Sequence, residues 1–307
     1  MNILYVWPYW YYSQVALEFL QMIAKRGHRI DVLLGECKYF STNAVLTDSI
    51  NIHFVSKWDF ISKIIGTPYP IFRNITSLIR RIDPDIIHVN SHLFLSNYQV
   101  IRVAKSIGIP SVMTVHGIMA ERGLIMNIMQ SFYLRTLSKK IFKEVSAIIC
   151  LTKSDAKVIA KIVGNNNRMK INIIPNGIDI ERFKPSLIKD PNLIVWTGRL
   201  VPEKGLIYAL KAMRKIIEEH NNVKLVLVGE GPLKNTLMRL TNKLGLAKRV
   251  VFTGMLDRMK IAKLLSKTSI FIFPSLREGL PLSILEAMSS GAVQASFRRY
   301  GLGRCGG

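Results

Sequence analysis

NILYVWPYWYYSQVALEFLQMIAKRGHRIDVLL, residues 2–34, decides the fold. Residues 2–7 are an apolar run of strand length. Residues 14–26 place Val15, Leu17, Leu20, Ile23 and Ala24 near one helical face, Gly27 ends that helix, and Ile30-Asp31-Val32-Leu33-Leu34 begins again as strand. A strand, a helix and a second strand in so short a span form a βαβ unit, whose crossover leaves the two strands parallel. Near-continuous apolar strands belong to a sheet covered by helices on both faces.

The same alternation continues outward. Strands are expected at Asp85–Val89 after the Asp83-Pro84 stop, at Ser111–Val115 after Gly108-Ile109-Pro110, at Ala147–Leu151 and at Lys170–Ile174. They complete a first doubly wound domain, residues 1–184. Pro175-Asn176-Gly177-Ile178-Asp179, Phe183-Lys184-Pro185 and Asp190-Pro191 are dense in turn formers and read as an interdomain connection. A second α/β series fills residues 185–307, with strands at Leu193–Trp196, Lys224–Val228, Val250–Phe252 and Ile270–Phe273. Its helices fall near 205–219, 232–244, 257–267 and 280–290. After Gly291, the run AVQASFRRYGLGRCGG shows no strand or helix period. That predicts foreign sequence from a truncation or frameshift near codon 293, and an incomplete second domain of four strands.

Composition narrows the class. With 307 residues, 49% hydrophobic and 21% charged, the chain can bury a large core, which excludes a disordered protein. No segment approaches the roughly 20 consecutive apolar residues that span a bilayer, so an integral membrane protein is not expected. The first residues read as a buried strand rather than a signal peptide, so cytoplasmic residence is. Cys37, Cys150 and Cys305 are odd in number and far apart, fitting neither a disulfide framework nor a zinc ribbon. No metal site is expected. The net charge of +23 implies an anionic partner: nucleic acid, lipid headgroups or a phosphorylated substrate. There are 23 basic and 12 acidic residues through Lys184 and 20 and 8 beyond it, so no basic tail explains the excess.

Two clusters carry chemistry. Gly198-Arg199-Leu200 follows a strand and Glu203-Lys204-Gly205 opens a helix, so two cations converge on the carboxyl edge of a parallel sheet. A helix N-terminus adds partial positive charge, and a diphosphate fits such a cluster. Gly-x4-Gly-Lys-Ser/Thr is absent, which excludes a Walker A loop. Taken alone, the cluster also describes solvated basic residues at a helix start. The second cluster is Glu278-Gly279-Leu280-Pro281-Leu282-Ser283-Ile284-Leu285-Glu286. Its spacing puts Glu278 at the mouth of a site and Glu286 a little over two turns along the following helix, deeper on nearly the same face. Carboxylates there accept hydrogen bonds from vicinal hydroxyls of a sugar or a ribose. Taken alone, the pair also describes a helix N-terminal Glu and an ordinary surface Glu.

Together these residues resemble glycosyltransferase family four, retaining enzymes of the GT-B fold that use nucleotide-sugar donors. The resemblance covers nearly the whole chain to about Gly291, through RGHRIDVLL, DIIHVNS, TVHG, AIICLTKSDAKVIA, IIPNGID, GRLVPEKG, LVLVGEGP, VVFTG and PSLREGLPLSILEAMSSG. It implies an α/β GT-B architecture of two Rossmann-like doubly wound domains facing a cleft, the second incomplete here. Arg199 and Lys204, with Gly198, match the cations that hold the donor diphosphate and stabilise the leaving group. Glu278 matches the carboxylate on the donor sugar and Glu286 the one on the ribose. The backbone amides of Gly279, Leu280 and Leu282 would help hold the phosphates, and Gly229, Glu230, Gly231 and Gly254 match loops near the nucleobase. His116, in Thr114-Val115-His116-Gly117, matches a histidine near the reacting sugar.

The implied reaction is retaining transfer of a sugar, a hexose in kind, from a UDP- or GDP-linked donor to a hydroxyl of a glycan or lipid-linked acceptor. It implies no metal and no cofactor beyond the donor. The chain departs from the family at Trp7-Pro8-Tyr9-Trp10-Tyr11-Tyr12-Ser13, where members commonly carry Gly-Gly. Phe132–Lys143 and Lys57–Arg81 mix cations with apolar residues, which suits an anionic membrane surface on the inner face of the cell membrane and equally describes a core-facing helix with a charged outer face. No helix-turn-helix, zinc finger or RNA-recognition signature appears, so no specific nucleic acid is expected. Three other readings stay open: a polyanion-binding module, a GT-B nucleotide-sugar epimerase, and a nonfunctional truncated remnant.

Overall fold

The computed structural model describes residues 1–8, 14–35, 48–58, 71–118, 132–164, 170–276 and 278–296. Tyr9–Ser13 of the aromatic loop, Cys37, Cys305, residues 59–70 of the second basic segment and residues 297–307 lie outside them, as does the Val15 side chain. The described chain divides into two compact units, which part between Pro175 and Asn176.

The first unit runs β1 (Asn2–Trp7), α1 (Gln14–Ala24), β2 (Arg29–Gly35), β3 (Ile50–Val55), β4 (Lys57–Trp58), β5 (Ile71–Phe72), α2 (Ile75–Ile82), β6 (Ile86–Asn90), α3 (Leu95–Ser106) and β7 (Ser111–Val115). A π-helical turn, Leu134–Ser138, then leads into α4 (Lys139–Glu144), followed by β8 (Ala147–Cys150), α5 (Lys153–Val163) and β9 (Ile171–Ile173). Seven strands form one parallel sheet in the order β3-β2-β1-β6-β7-β8-β9, and β4 and β5 make a small antiparallel pair. Successive side chains of β1 serve opposite cores. Leu4 and Val6 pack with Ile87, Val89 and Val100, whereas Tyr5 packs with Leu20, Val32 and Leu34. Burial on both faces is why residues 2–7 read as an unbroken apolar run.

Strand β3 was not predicted. INIHFV alternates apolar with polar side chains, and it becomes a strand because the main chain of β2 offers it an edge, from Ile30↔Ile50 to Gly35↔Val55. It also completes a polar cluster around the buried Asp31, whose Oδ1 accepts from Asn51 Nδ2 at 3.2 Å and lies 2.7 Å from His53 Nε2.

The second unit runs β10 (Asp190–Thr197), α6 (Leu206–Glu219), β11 (Lys224–Val228), α7 (Lys234–Lys243), β12 (Val250–Gly254), α8 (Arg258–Lys267), β13 (Thr268–Phe273), α9 (Leu282–Ser289) and β14 (Val293–Ser296). Its described helices fall within two residues of the predicted bounds. All strand pairs are parallel, in the order β12-β11-β10-β13-β14. One face packs Trp196, Leu206 and Leu227, and the other packs Phe183, Val195 and Phe271. Phe183 is wholly buried there, so the turn-rich stretch before Lys184 packs with the second unit rather than ending the first.

The four-strand expectation is corrected by β14. Val293-Gln294-Ala295-Ser296 pairs in parallel register with β13, from Ile270↔Val293 to Phe273↔Ser296. A four-residue strand with mostly exposed side chains carries no hydrophobic period, and the hydrogen-bonding edge of β13 alone determines it. Among the described residues, no helix is long and apolar enough to cross a membrane.

Candidate active site

In each sheet the strand order reverses beside the first strand, between β1 and β6 and between β10 and β13. Ligands of open α/β sheets bind beyond the carboxyl ends of the strands at such a point. In the second unit, Gly198-Arg199 leaves β10 there and Pro274-Ser275-Leu276 leaves β13. The Leu276 amide donates to the Glu203 carbonyl at 2.9 Å, which ties the two loops together. Across this junction the Lys204 ammonium pairs with a Glu278 carboxylate oxygen. Residues 74 apart in sequence thus meet at the switch point. Arg199 is exposed on the adjoining loop.

The glycines hold backbone close to backbone. The Gly198 amide donates to Val228 O at 3.0 Å and the Gly229 amide to Gly254 O at 2.8 Å, so a glycine stands at or just past each of three neighbouring strand ends. Gly229 has φ of 134°, and a Cβ there would lie 1.9 Å from Gly198 O. Gly205 has φ of 64°, and its Cβ would lie 2.0 Å from Pro274 O. No side chain fits at either place. Glu230, between Gly229 and Gly231, pairs with Lys234 at 2.6 Å.

Helix α9 begins at Leu282, so Glu286 stands in its second turn, nearer the helix start than the expected two turns. It is deep, as predicted, at 4% exposure, and its carboxylate pairs with Arg258. The Arg258 guanidinium also lies 4.9 Å above the centre of the Phe183 ring. A buried carboxylate needs such a partner, because desolvation of an unpaired charge is costly. Gly279 and Leu280 form the loop before α9, and Asn176 Nδ2 donates to Leu280 O at 2.7 Å, anchoring that loop to the start of the unit.

In the first unit, His116 follows β7, and its Nε2 lies 3.1 Å from Asn90 Oδ1. The same oxygen accepts from Tyr5 Oη at 3.2 Å. His88 Nε2 lies 2.8 Å from Thr114 Oγ1, and the Trp7 and His116 rings are 5.8 Å apart. His116 is exposed as a residue, but desolvation of its ring where it packs beside Trp7 and Asn90 lowers its pKa from the ordinary histidine value. Burial pushes His88 down to about 4, with charge on His116 adding to the effect. It pushes His92 to about 4 as well. All three rings are therefore neutral at pH 7.

Two family profiles divide the chain. One, Glycosyltransferase Family 4, matches residues 13–182, more than half of the chain. The other, Glycosyl transferases group 1, matches residues 177–303. The chain belongs to Glycosyltransferase Family 4.

The second match extends well past Gly291, which corrects the expectation of foreign sequence immediately after that residue. The UDP-Gal:alpha-D-GlcNAc-diphosphoundecaprenol alpha-1,3-galactosyltransferase of Escherichia coli is 33% identical over 234 residues, covering 70% of this chain and 58% of that protein. The phosphatidylinositol N-acetylglucosaminyltransferase gpi3 subunit of Schizosaccharomyces pombe is 25% identical over 294 residues, covering 92% of this chain and 61% of that one. The chain thus spans about three fifths of the length of these two relatives. Sucrose-phosphate synthase from Thermosynechococcus elongatus superposes with a TM-score of 0.77 at 16% identity, over 98% of this chain and 82% of that one. HepE of Anabaena, in complex with UDP and glucose, gives 0.72 at 18% identity, over 96% and 80%. These likenesses show the GT-B fold of two Rossmann-like domains.

In this Glycosyltransferase Family 4 chain, three polar residues of the two switch points receive no role from the sequence, although Asn90 and Asn176 lie within motifs quoted for the resemblance. Arg258 lies 28 residues from Glu286, Asn176 lies 104 from Leu280 and Asn90 lies 26 from His116. Each sits in a stretch whose local pattern reads as a helix start, a linker or a strand end, and only the fold supplies its partner.

Proposed function

We propose that the chain carries the machinery of a retaining glycosyltransferase, moving a sugar from a nucleoside-diphosphate sugar to a hydroxyl of a glycan or lipid-linked acceptor. The observation that carries this reading is the Lys204–Glu278 pair at the switch point of the second sheet, beside Arg199. An incoming diphosphate competes with Glu278 for Lys204 and draws Arg199 inward, each charged hydrogen bond contributing about 1.5–3 kcal/mol. Glu278 is thereby freed to accept from sugar hydroxyls, while Glu286, held by Arg258, faces the ribose. In the chemical step the bond from the anomeric carbon to the phosphate oxygen breaks, and the acceptor oxygen bonds on the same face. The acceptor proton passes to a leaving phosphate oxygen. Lys204 and Arg199 stabilise the charge that grows on the diphosphate, so two side-chain cations fill the role a divalent ion plays elsewhere. His116 enters this reading only through the family resemblance, which assigns its position to a histidine near the reacting sugar.

The names of the relatives support a UDP-linked donor and a lipid-borne acceptor. The Escherichia coli protein is named for UDP-Gal and a diphosphoundecaprenol acceptor, and the Schizosaccharomyces pombe subunit for phosphatidylinositol. An anionic membrane surface as a further partner is supported by the π-helical turn and α4, where Phe132 is 70% exposed and Arg135, Lys139, Lys140 and Lys143 face solvent. The place of action in this reading is the cytoplasmic face of the cell membrane.

Thermal melting with UDP, GDP and ADP tests the donor site. A ligand at 100 times its dissociation constant adds about 2.7 kcal/mol, several degrees in Tm. UDP is expected to raise the melt, and Arg199→Ala and Lys204→Met to abolish the rise. No shift with any nucleotide, or a shift untouched by both variants, removes the reading. Release of free UDP from a UDP-sugar only when acceptor is present separates transfer from epimerisation.

A further inference from the structure

We propose that Asn90 is a positioning residue for His116, fixing its ring as the neutral Nε2–H tautomer so that Nδ1 is left to accept a hydrogen bond from a hydroxyl of the bound sugar. The last clause rests on the glycosyltransferase reading; the tautomer does not.

Asn90 ends β6, at the switch point of the first sheet, and is 3% exposed. Its Nδ2 donates to the Val6 carbonyl at 3.3 Å. A carbonyl only accepts, so this bond decides which way the carboxamide faces. Oδ1 is thereby turned toward Tyr5 Oη at 3.2 Å and His116 Nε2 at 3.1 Å. An amide oxygen has two lone pairs and no proton, so both neighbours must donate to it. Burial raises the Tyr5 phenol above its ordinary range, so Tyr5 keeps its proton to give. His116, an exposed residue whose ring is shifted downward, is neutral at pH 7 and has one ring proton, and Asn90 requires that proton on Nε2.

The acceptor is itself clamped. Asn97, wholly buried on α3, donates through Nδ2 to the backbone carbonyl of Asn90 and to Ser91 O at 2.7 Å. Ser91 takes the left-handed backbone at φ of 72°, which turns the chain sharply after β6. Among the described residues, the titratable groups nearest His116 are His88, which is engaged with Thr114, and Tyr5, which shares the Asn90 oxygen. Trp7 closes one side of the His116 ring. A histidine held this way accepts from a hydroxyl and cannot protonate one.

The test is ¹⁵N NMR of the full chain labelled at histidine, with His116 assigned by His116→Gln. The wild type is expected to show Nε2 protonated, Nδ1 unprotonated and a slowly exchanging Nε2–H proton. Asn90→Leu is expected to lose that proton signal and to average the two nitrogens. Asn90→Asp is expected to keep it and to raise the titration point of His116, because a carboxylate stabilises the imidazolium. A proton on Nδ1 in the wild type, an Asn90→Leu spectrum like the wild type, or no rise in Asn90→Asp overturns the proposal. If Asn90→Leu does not fold, the other two arms still decide it. A wild type with the expected tautomer but no nucleotide-induced melting shift instead removes the glycosyltransferase reading and leaves the positioning intact. Where turnover is measured, Asn90→Leu is expected to lower kcat by about tenfold or more with donor KM unchanged, and Asn90→Asp to recover part of it.

Discussion

At Gly229 an added methyl group has no place to go, because the atom it would strike is the carbonyl oxygen of Gly198, a residue whose amide is tied to Val228 O at the strand end. Gly245 is the useful contrast. It also has a positive φ, 69°, but a Cβ there meets nothing within 4 Å. Gly245→Ala should therefore carry only the left-handed backbone penalty, about 1–2 kcal/mol. Gly229→Ala should lose at least twice that in urea denaturation and also lose the UDP-induced rise in Tm, which Gly245→Ala should retain. Equal losses in the two variants would mean that the strand ends yield around the new methyl. The sequence marks Gly229 as special only through its motif, since a turn glycine and a glycine of close approach look alike in one dimension. The same limit holds for Cys150: its isolation in sequence predicts a bystander thiol, whereas burial, reinforced by the charge of Asp155, pushes it up to about 12 and makes it unreactive.

Elements β6 and β7 concentrate the depressed histidines of the first unit: His88 on β6, His92 just beyond it and His116 just beyond β7. A folded value below the unfolded value of about 6.5 means that the unfolded chain binds the extra protons. Stability from these rings is fully present above pH 6.5 and is lost as the pH falls toward about 4 for His88 and His92. His88 and His92 each contribute up to about 1.4 kcal/mol per pH unit within that window. Urea melts at pH 7 and pH 5 should show the first unit losing stability on acidification, with a shallower loss in His92→Phe. Identical melts at the two pH values would mean that these rings take up protons without unfolding the strands. Element positions themselves were largely legible. Helices α6 to α9 follow the apolar period closely, because each lays one stripe on a sheet. Strands β3 and β14 escaped, because each is an edge strand determined by a neighbour's free hydrogen-bonding groups rather than by its own side chains.

On the scale of the whole molecule, the +23 charge is spread over both units, and one described place where cations stand beside an exposed aromatic is the segment from Phe132 through Lys143. Sedimentation with anionic vesicles at low salt is expected, with none on neutral vesicles and none at about 1 M salt, where the screening length falls to about 3 Å. Reversing Lys139 and Lys140 to glutamate should weaken binding severalfold. A chain that stays in solution with anionic vesicles at low salt has no such membrane surface, and its charge then serves its phosphorylated substrate and general surface chemistry.

By itself the sequence determined the α/β class, the two doubly wound series, the turn-rich connection between them and the cation and carboxylate motifs of the second unit. All of these are written in local periods and short spacings, which physics reads one segment at a time. Only the tertiary structure decided that Lys204 faces Glu278, that Arg258 holds Glu286, that Asn90 orients His116 and that residues 293–296 extend the sheet. Those are pairings between distant segments, fixed by which strands become neighbours and where the strand order reverses, and no local pattern encodes that choice.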